Sequence, residues 1–122
     1  MEGSVLPLNL ARFGDVIGLP LTGQEGRKLG TVRDIYLDLA AGSVEFLIVE
    51  AVSLLGSSGK YHPVPSSIAR YDSVDRSFQV NVSKDRFKQS PSYDREQLSG
   101  AGYGWAEQSD RFFSALHASG EA

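Results

Sequence analysis

The stretch TVRDIYLDLAAGSVEFLIVEAV, residues 31–52, decides the fold of this chain. Apolar and polar residues alternate on both sides of AAG, which is the pattern of two half-buried β-strands joined by a short loop. The apolar faces consist of Ile35, Leu37 and Leu39 on the first strand and of Val44, Phe46 and Ile48 on the second. We therefore predict an antiparallel hairpin, with Gly42 supplying the permissive backbone of its loop.

The register of the hairpin must keep both apolar faces on the same side of the sheet. The pairs that meet this need are Leu39 with Val44, Leu37 with Phe46 and Ile35 with Ile48. A slip by one residue would bury Asp38 and Glu45. Leu47 and Val49 are also apolar, so we expect the second strand to be covered on both faces.

Composition limits the possible functions. The 122 residues, 41% hydrophobic and 22% charged, suffice for one domain with a core, and 13 glycines favour turns and short strands. A net charge of -3 disfavours nucleic acid as a partner, and the lack of cysteine excludes disulfides and thiolate chemistry.

The start of the sequence has no basic region followed by an apolar stretch, and FLIVEAVSLL is too short to span a membrane. We expect a cytoplasmic protein without a transmembrane segment.

Other segments carry weaker signals. We expect residues 1–14 to be a lead-in, DVIGLPL a first strand, and YHPVP an edge or barrel-rim strand because of its prolines. SIARY and SFQVNV predict a second hairpin, with Phe78, Val80 and Val82 facing inward. Ser83 is a candidate N-cap for a helical turn through KDRFKQ, which would end at Ser90, before Pro91.

The tail GYGWAEQSDRFFSALHASG predicts an amphipathic helix that stops near Gly120. At helical spacing, Trp105, Phe112 and Leu116 form a narrow stripe that we expect to dock on the rest of the protein. Phe113 is rotated by roughly 80–100° from the stripe, so we place it at the margin. Of its two possible roles, a satellite core contact or an anchor for a partner, the second is slightly favoured.

Residues 15–94 resemble a PRC-barrel domain. The resemblance rests on features in order: Ile17-Gly18, Gly30-Thr31-Val32 with Asp34, the Asp38 to Val44 hairpin, Lys60-Tyr61 before Val64-Pro65, and VSKDRFKQSPSYD. It implies a mainly β fold, a small, closed or nearly closed antiparallel β-barrel that binds proteins and has no shared catalytic residues. Residues 95–122 would be a C-terminal helical extension packed on that barrel.

The family as known includes the cytoplasmic barrel of the H subunit of photosynthetic reaction centres and the second domain of a ribosome-maturation factor, besides many stand-alone bacterial and archaeal proteins. VSKDRFKQSPSYD and the tryptophan tail resemble the reaction-centre-like branch more than the ribosomal one. We expect no transmembrane helix before the barrel and no N-terminal partner domain.

Motifs for catalysis or ligand binding are weak. GQEGRKLGT lacks the spacing of a phosphate-binding Walker loop. Asp34, Tyr36 and Asp38 share a strand face, and Glu45 opposes Asp38 in the predicted register; these carboxylates could hold a cation or meet a partner, but a solvated face is the simpler interpretation. Lys84, Arg86 and Lys88 alternate with Asp85 and Phe87, which favours a solvated capping turn over an RNA surface.

His62 and His117 are the only histidines, and no serine lies in a nucleophile elbow. His117 fits a place near a helix C-terminus, whereas Tyr61 and His62 are predicted to lie on the barrel rim, within reach of a partner.

The sequence hypothesis is therefore a non-enzymatic PRC-barrel binding module. We expect it to form a homodimer or to bind another protein through Phe113, Tyr61 and His62, without cofactor, metal, nucleic acid or small-molecule substrate. The alternatives are an RNA or ribosome-assembly accessory, a soluble relative of the reaction-centre H subunit, and a small enzyme or ligand-binding barrel, which would need polar groups that converge in a pocket.

Overall fold

The computed structural model describes residues 10–100 and 102–120. The strands are β1 (Pro20–Thr22), β2 (Lys28–Asp38), β3 (Ser43–Ala51), β4 (Tyr61–Pro65), β5 (Arg70–Asp72) and β6 (Ser77–Gln79). The helices are α1 (Phe13–Val16), α2 (Lys84–Gln89), α3 (Arg95–Ser99) and α4 (Gly104–Ala118), with single 3-10 turns at Gln24–Gly26 and Ser66–Ile68. The predicted strand DVIGLPL is thus partly wrong, because its first residues complete α1 and only its end pairs in β1.

The six strands form one sheet in the order β4-β3-β2-β1-β6-β5, and a helix follows at the C-terminus, which confirms the mainly β fold class. Two details differ from a closed antiparallel barrel. β1 pairs with β6 in parallel, and no ladder joins the outer strands β4 and β5 in the described parts of the chain. The position of β4 at an edge agrees with its two prolines, which cannot donate backbone hydrogen bonds.

The β2–β3 hairpin is present, but its predicted register is wrong. Leu37 pairs with Val44 and Asp38 with Ser43, and the ladder is irregular between Val32 and Asp34 and between Tyr36 and Leu37. Such bulges shift which residues face the core. As a result the tip of the hairpin extends beyond the core.

Asp38 closes the loop of this hairpin. Its Oδ1 accepts hydrogen bonds from the backbone N–H of Ala40 at 2.9 Å and of Ala41 at 3.2 Å. Asp38 pairs with Ser43. The predicted register had placed it opposite Glu45. Local capping by an aspartate explains why the loop begins at this residue.

The main core lies inside the curved sheet. Leu47, Ile48, Val49 and Glu50 of β3 are all buried, which confirms that this strand is covered on both faces. The main cluster comprises Leu21, Leu29, Val32, Leu47, Val49, Val64, Val80, Val82, Phe87, Phe113 and Leu116. Val80 and Val82 thus face inward as predicted, while Phe78 is partly buried against the same cluster.

The segment after β6 folds as the sequence indicates. Ser83 caps α2 by accepting a hydrogen bond from the backbone N–H of Arg86, and the helix ends at Ser90 before Pro91. α3 is an element that we did not predict. It begins with a capping box, in which Asp94 and Gln97 each accept a hydrogen bond from the other's backbone N–H.

Helix α4 packs against β4 and covers the open side of the sheet. Trp105 and Leu116 are buried as predicted, and Gly120, in the left-handed region at a φ of 95°, ends the helix. Phe113 is not at the margin: it is only 1% exposed and belongs to the main core, whereas Phe112 is half-buried. The prediction failed because α4 contacts both the main core and a second cluster around Trp105, so a wider helix face is covered than one stripe.

Candidate functional site

The directions of the strands define two ends of the barrel. We call the end with the β2–β3 loop, the β5–β6 turn and α1 the hairpin end. The opposite end, with the β3–β4 loop (residues 52–60), the turn at Gln24–Gly26 and α2, is the far end. The assignment follows from the antiparallel pairing of β1 with β2 and its parallel pairing with β6, which brings the start of β6 to the hairpin end.

The hairpin end contains a small apolar cleft of about 160 Å³. Its walls come from α1, β2, β3, the 3-10 turn after β4, and β6: Val16, Ile35, Val44, Leu47, Ser66, Ala69 and Phe78. The hydroxyl of Ser66 donates to the backbone carbonyl of Val44, so the only polar side chain of this lining is already bonded. The cleft is therefore suited to an apolar side chain.

Exposed apolar side chains accompany this cleft on the same elements. Leu39 is 86% exposed and Leu37 53% exposed, at the tip of the hairpin whose Val44 lines the cleft. Phe13, Tyr71 and Val74 are also exposed, on α1, β5 and the β5–β6 turn. Monomeric proteins seldom expose a large continuous apolar patch, and one rimmed by polar residues marks a binding surface.

The rim of the hairpin end is acidic. Asp38, Glu45 and Asp75 are exposed and Asp72 is half-buried, whereas Arg12 at this end is already paired with Asp15 at 3.1 Å. Arg76, in the β5–β6 turn, is a second cation at this end. The carboxylates at this end therefore surround an apolar centre.

The carboxylates that the sequence suggested as a cation site do not converge. Asp34 accepts from the backbone N–H of Ile35, Asp38 caps the hairpin loop, and Glu45 accepts from the hydroxyl of Ser43. Within residues 10–100 and 102–120, no group of three His, Asp or Glu side chains is placed to hold a metal ion. Asp34 and Asp38 thus hold local backbone, and Glu45 holds a neighbouring side chain.

At the far end the core is covered by α2, and the cleft there, of about 310 Å³, is lined by polar and charged side chains: Gln24, Glu25, Arg27, Ser83, Lys84 and Asp85. Phe87 of α2 is 1% exposed and belongs to the main core, so α2 caps this end of the barrel. Beyond the cap, the β3–β4 loop presents Leu54 and Leu55, which are 100% and 96% exposed. The elements at this end carry more cations than carboxylates: Arg27, Lys28, Lys60, Lys84, Arg86 and Lys88 against Glu25 and Asp85.

Glu50 fixes the loop that carries these leucines. Its carboxylate accepts hydrogen bonds from the Ser57 hydroxyl at 2.5 Å, from Arg33 Nε at 3.0 Å and from the backbone N–H of Gly59 at 3.4 Å. The Ser57 bond and the neighbouring Arg33 lower the pKa of Glu50, against the opposing effect of burial. Glu50 is thus an ionised anchor at the base of the loop.

A larger cleft, of about 720 Å³, lies beside α4. Its polar lining includes Arg70, Asp110 and His117. Two of its amides are already bonded: Gln24 Nε2 donates to Asn81, also in the lining, at 3.2 Å, and Gln79 Nε2 donates to Asp72 at 3.1 Å. Asp110, Ser114 and His117 are exposed on the helix surface. The lining combines these polar side chains with apolar ones such as Ile68 and Phe113.

Tyr61 and His62 are not on an accessible rim, so that prediction is wrong. They are 6% and 4% exposed, because α2 and α3, which follow the barrel strands, cover this part of β4. Arg95 donates to the Tyr61 hydroxyl at 3.0 Å, and the His62 ring lies 4.6 Å from that of Phe87.

His62 lies 2.8 Å from the Ser90 hydroxyl through Nδ1, a pair that superficially resembles a nucleophile and its base. The Ser90 hydroxyl donates to the Phe87 carbonyl at 2.6 Å, so Nδ1 must carry the proton and donate to Ser90. Burial also lowers the pKa of His62 to about 4. The pair is a buried structural bond and cannot activate Ser90.

None of the three residues that we expected to bind a partner is therefore exposed. Phe113, Tyr61 and His62 are all core residues, whereas the exposed apolar surface is formed by the hairpin tip and its neighbours. The sequence contained one usable signal for this surface, the apolar Leu39 directly before the AAG loop, which we had assigned to the core.

Comparison with known proteins agrees with this architecture. The model of the PRC-barrel domain family matches residues 9–87, from the segment before α1 into α2. A search of the curated proteins gives no match. Among the described residues no helix is both long and apolar enough to span a bilayer. Since the family model covers more than half of the sequence, the chain belongs to the PRC-barrel domain family.

Proposed function

We propose that this protein is a non-catalytic protein-binding module whose binding surface is the hairpin end of the barrel. The observation that carries the proposal is the apolar cleft of about 160 Å³ with exposed Leu37 and Leu39 on the adjoining hairpin. Burial of apolar area is the main favourable term in protein association. A partner that covered this surface would remove two leucine side chains from water.

The proposal of a non-catalytic role is supported by how the polar groups are used. The His62–Ser90 pair is buried, and the ring nitrogen that faces Ser90 carries a proton, so it does not take one from the serine hydroxyl. Binding without chemistry needs only a complementary surface, and the hairpin end has an apolar centre and a charged rim.

The test uses the purified protein as bait, in parallel with Val44→Asp, which introduces a charge into the cleft wall. We expect wild type to retain a protein, either another copy or a different chain, that Val44→Asp loses. Val44→Ile keeps the wall apolar and is the matched control. Equal retention by wild type and Val44→Asp would contradict the proposal.

Nuclease treatment of the lysate is a second arm of this test. The far end carries several cations, so an RNA partner would bind there and its retention would fall with salt. If retention by wild type is abolished by nuclease and unaffected by Val44→Asp, the module binds nucleic acid and the proposed function is wrong.

A further inference from the structure

We propose that the occupant of the hairpin end is the Leu54–Leu55 loop of a second copy of this chain, so that copies associate head to tail. This inference rests on the proposed function, since it names the partner of the same surface. Three features support it. The cleft of one end suits the apolar projection of the other, the two ends carry opposite charge, and the loop that projects is held firmly at its base.

The first feature is shape and polarity. Leu54 and Leu55 are 100% and 96% exposed in the described structure, and nothing in it covers them. The cleft at the hairpin end measures about 160 Å³ and is walled by apolar side chains such as Val44 and Phe78. An apolar cavity of about 150 Å³ holds a benzene-sized molecule. One leucine side chain is a suitable occupant.

The second feature is charge. The hairpin end carries Asp38, Glu45 and Asp75 at its rim, and the loop at the far end is followed by Lys60, with Lys28 at the adjoining start of β2. Two hairpin ends placed face to face would bring like charges together, which costs free energy. A hairpin end placed against a far end instead brings opposite charges together.

The third feature is the support of the loop. Glu50 is buried and accepts hydrogen bonds from Ser57 and from the backbone of Gly59, on the C-terminal side of the two leucines. On the other side, the backbone N–H of Val52 donates to the carbonyl of Leu29 at 3.1 Å. A loop held at both sides loses less conformational entropy when it binds.

This geometry predicts a heterologous contact, in which each copy uses two different surfaces. In such a contact each copy keeps one unused surface, so further copies can add. The result is an extending series of oligomers, unless the rotation between copies closes a ring. We therefore expect weak association that grows with concentration and decreases with salt, because exposed charge pairs are screened. An isologous dimer through the hairpin end would instead stop at two copies.

The test is sedimentation velocity of the full chain, up to about 1 mM, the range of weak contacts. The loop variant is Leu54→Ser with Leu55→Ser, and the cleft variant is Val44→Asp. Each variant alone lacks one of the two surfaces, so we expect its association to weaken by at least about tenfold, a large effect for an interface anchor. Leu54→Met with Leu55→Met keeps the loop apolar and should associate as wild type.

Mixing the two variants gives the decisive result. The cleft variant still has its loop and the loop variant still has its cleft, so the mixture should form a one-to-one dimer and nothing larger. Leu37→Asp, at the more exposed partner of Val44 in the hairpin, repeats the test should Val44→Asp not fold. Circular dichroism establishes folding before each mixing experiment.

Two results would overturn the inference. If the loop variant associates as wild type, the loop is not the occupant, although the hairpin end can still bind another protein as proposed. If wild type is monomeric at the highest concentration, there is no second copy to bind. The proposed function fails only if wild type and Val44→Asp retain the same proteins equally. The two failures are therefore distinguishable.

Discussion

The two ends of this barrel differ in how the core beneath them is covered. At the far end, α2 follows β6 directly and places Phe87 in the core, 1% exposed. At the hairpin end, α1 contributes Val16 to a cleft that stays open, and Leu39 is 86% exposed. The difference shows that a short barrel does not bury its own ends. At the hairpin end the described chain leaves part of the core accessible through the cleft, whereas Leu54 and Leu55 of the far end project from a loop beyond the α2 cap.

The largest expected contrast between the ends is in stability. Phe87→Ala should lower the free energy of unfolding by about 3–5 kcal/mol, because it removes a buried aromatic side chain and leaves a cavity. Leu39→Ala at the hairpin end should change it by no more than about 0.5 kcal/mol, the usual range for an exposed position. Urea unfolding of both variants measures the two effects.

A large loss for Leu39→Ala would break the comparison, since it would mean that the hairpin tip is part of the core. A small loss in the free energy of unfolding for Phe87→Ala would also contradict the comparison, because α2 would then not cover the core at the far end. The unfolding slope must stay constant in the series for the free energies to be compared.

The second contrast concerns pH. His62 ionises near its ordinary pKa of 6.5 when the chain is unfolded, but burial beside α2 lowers its pKa to about 4 in the folded protein. Between these values the unfolded chain binds a proton that the folded protein does not, so stability falls as the pH falls. For this one group the free energy of unfolding should decrease by about 2 kcal/mol from pH 8 to pH 5.

His62→Gln carries no ionisable group and should lose most of this pH dependence. His117→Gln provides the matched control, because it removes the other histidine and keeps His62, so the contribution of His62 should remain. The measurement is thermal or urea unfolding at several pH values. A stability of wild type that is constant from pH 8 to pH 5 would show that His62 is hydrated.

Much of the fold could be predicted from sequence because local patterns determine it. Alternation identified β2 and β3, the prolines placed β4 at an edge, and Ser83 with Ser90 and Pro91 marked both ends of α2. These signals depend on backbone chemistry within a few residues. They require no knowledge of what packs against them.

The site could not be predicted in the same way. Two irregularities in β2 shift the register, so Leu37 and Leu39 leave the core, although alternation assigns them to it. On α4 the opposite occurred: Phe113 is buried because the helix contacts two clusters, and a helical wheel assumes only one contact face. Exposure at a surface depends on tertiary contacts, which a periodic pattern does not contain.

The smallest expected contrast in stability is between two serine–carboxylate hydrogen bonds, one near each end of β3. Ser57 donates to Glu50, which is buried, and Ser43 donates at 3.0 Å to Glu45, which is exposed. Ser57→Ala should lower the free energy of unfolding by about 1 kcal/mol, because a buried carboxylate loses a partner that water replaces poorly. Ser43→Ala should have almost no effect, since water readily solvates Glu45.

The Ser57 bond is also the largest cause of the lowered pKa of Glu50, so Ser57→Ala should raise that pKa toward its ordinary value. NMR titration of the Glu50 carboxyl carbon measures the change directly. Equal effects of the two substitutions would show that the β3–β4 loop is no better anchored than the hairpin tip, and the rigid loop base inferred for the far end would be wrong.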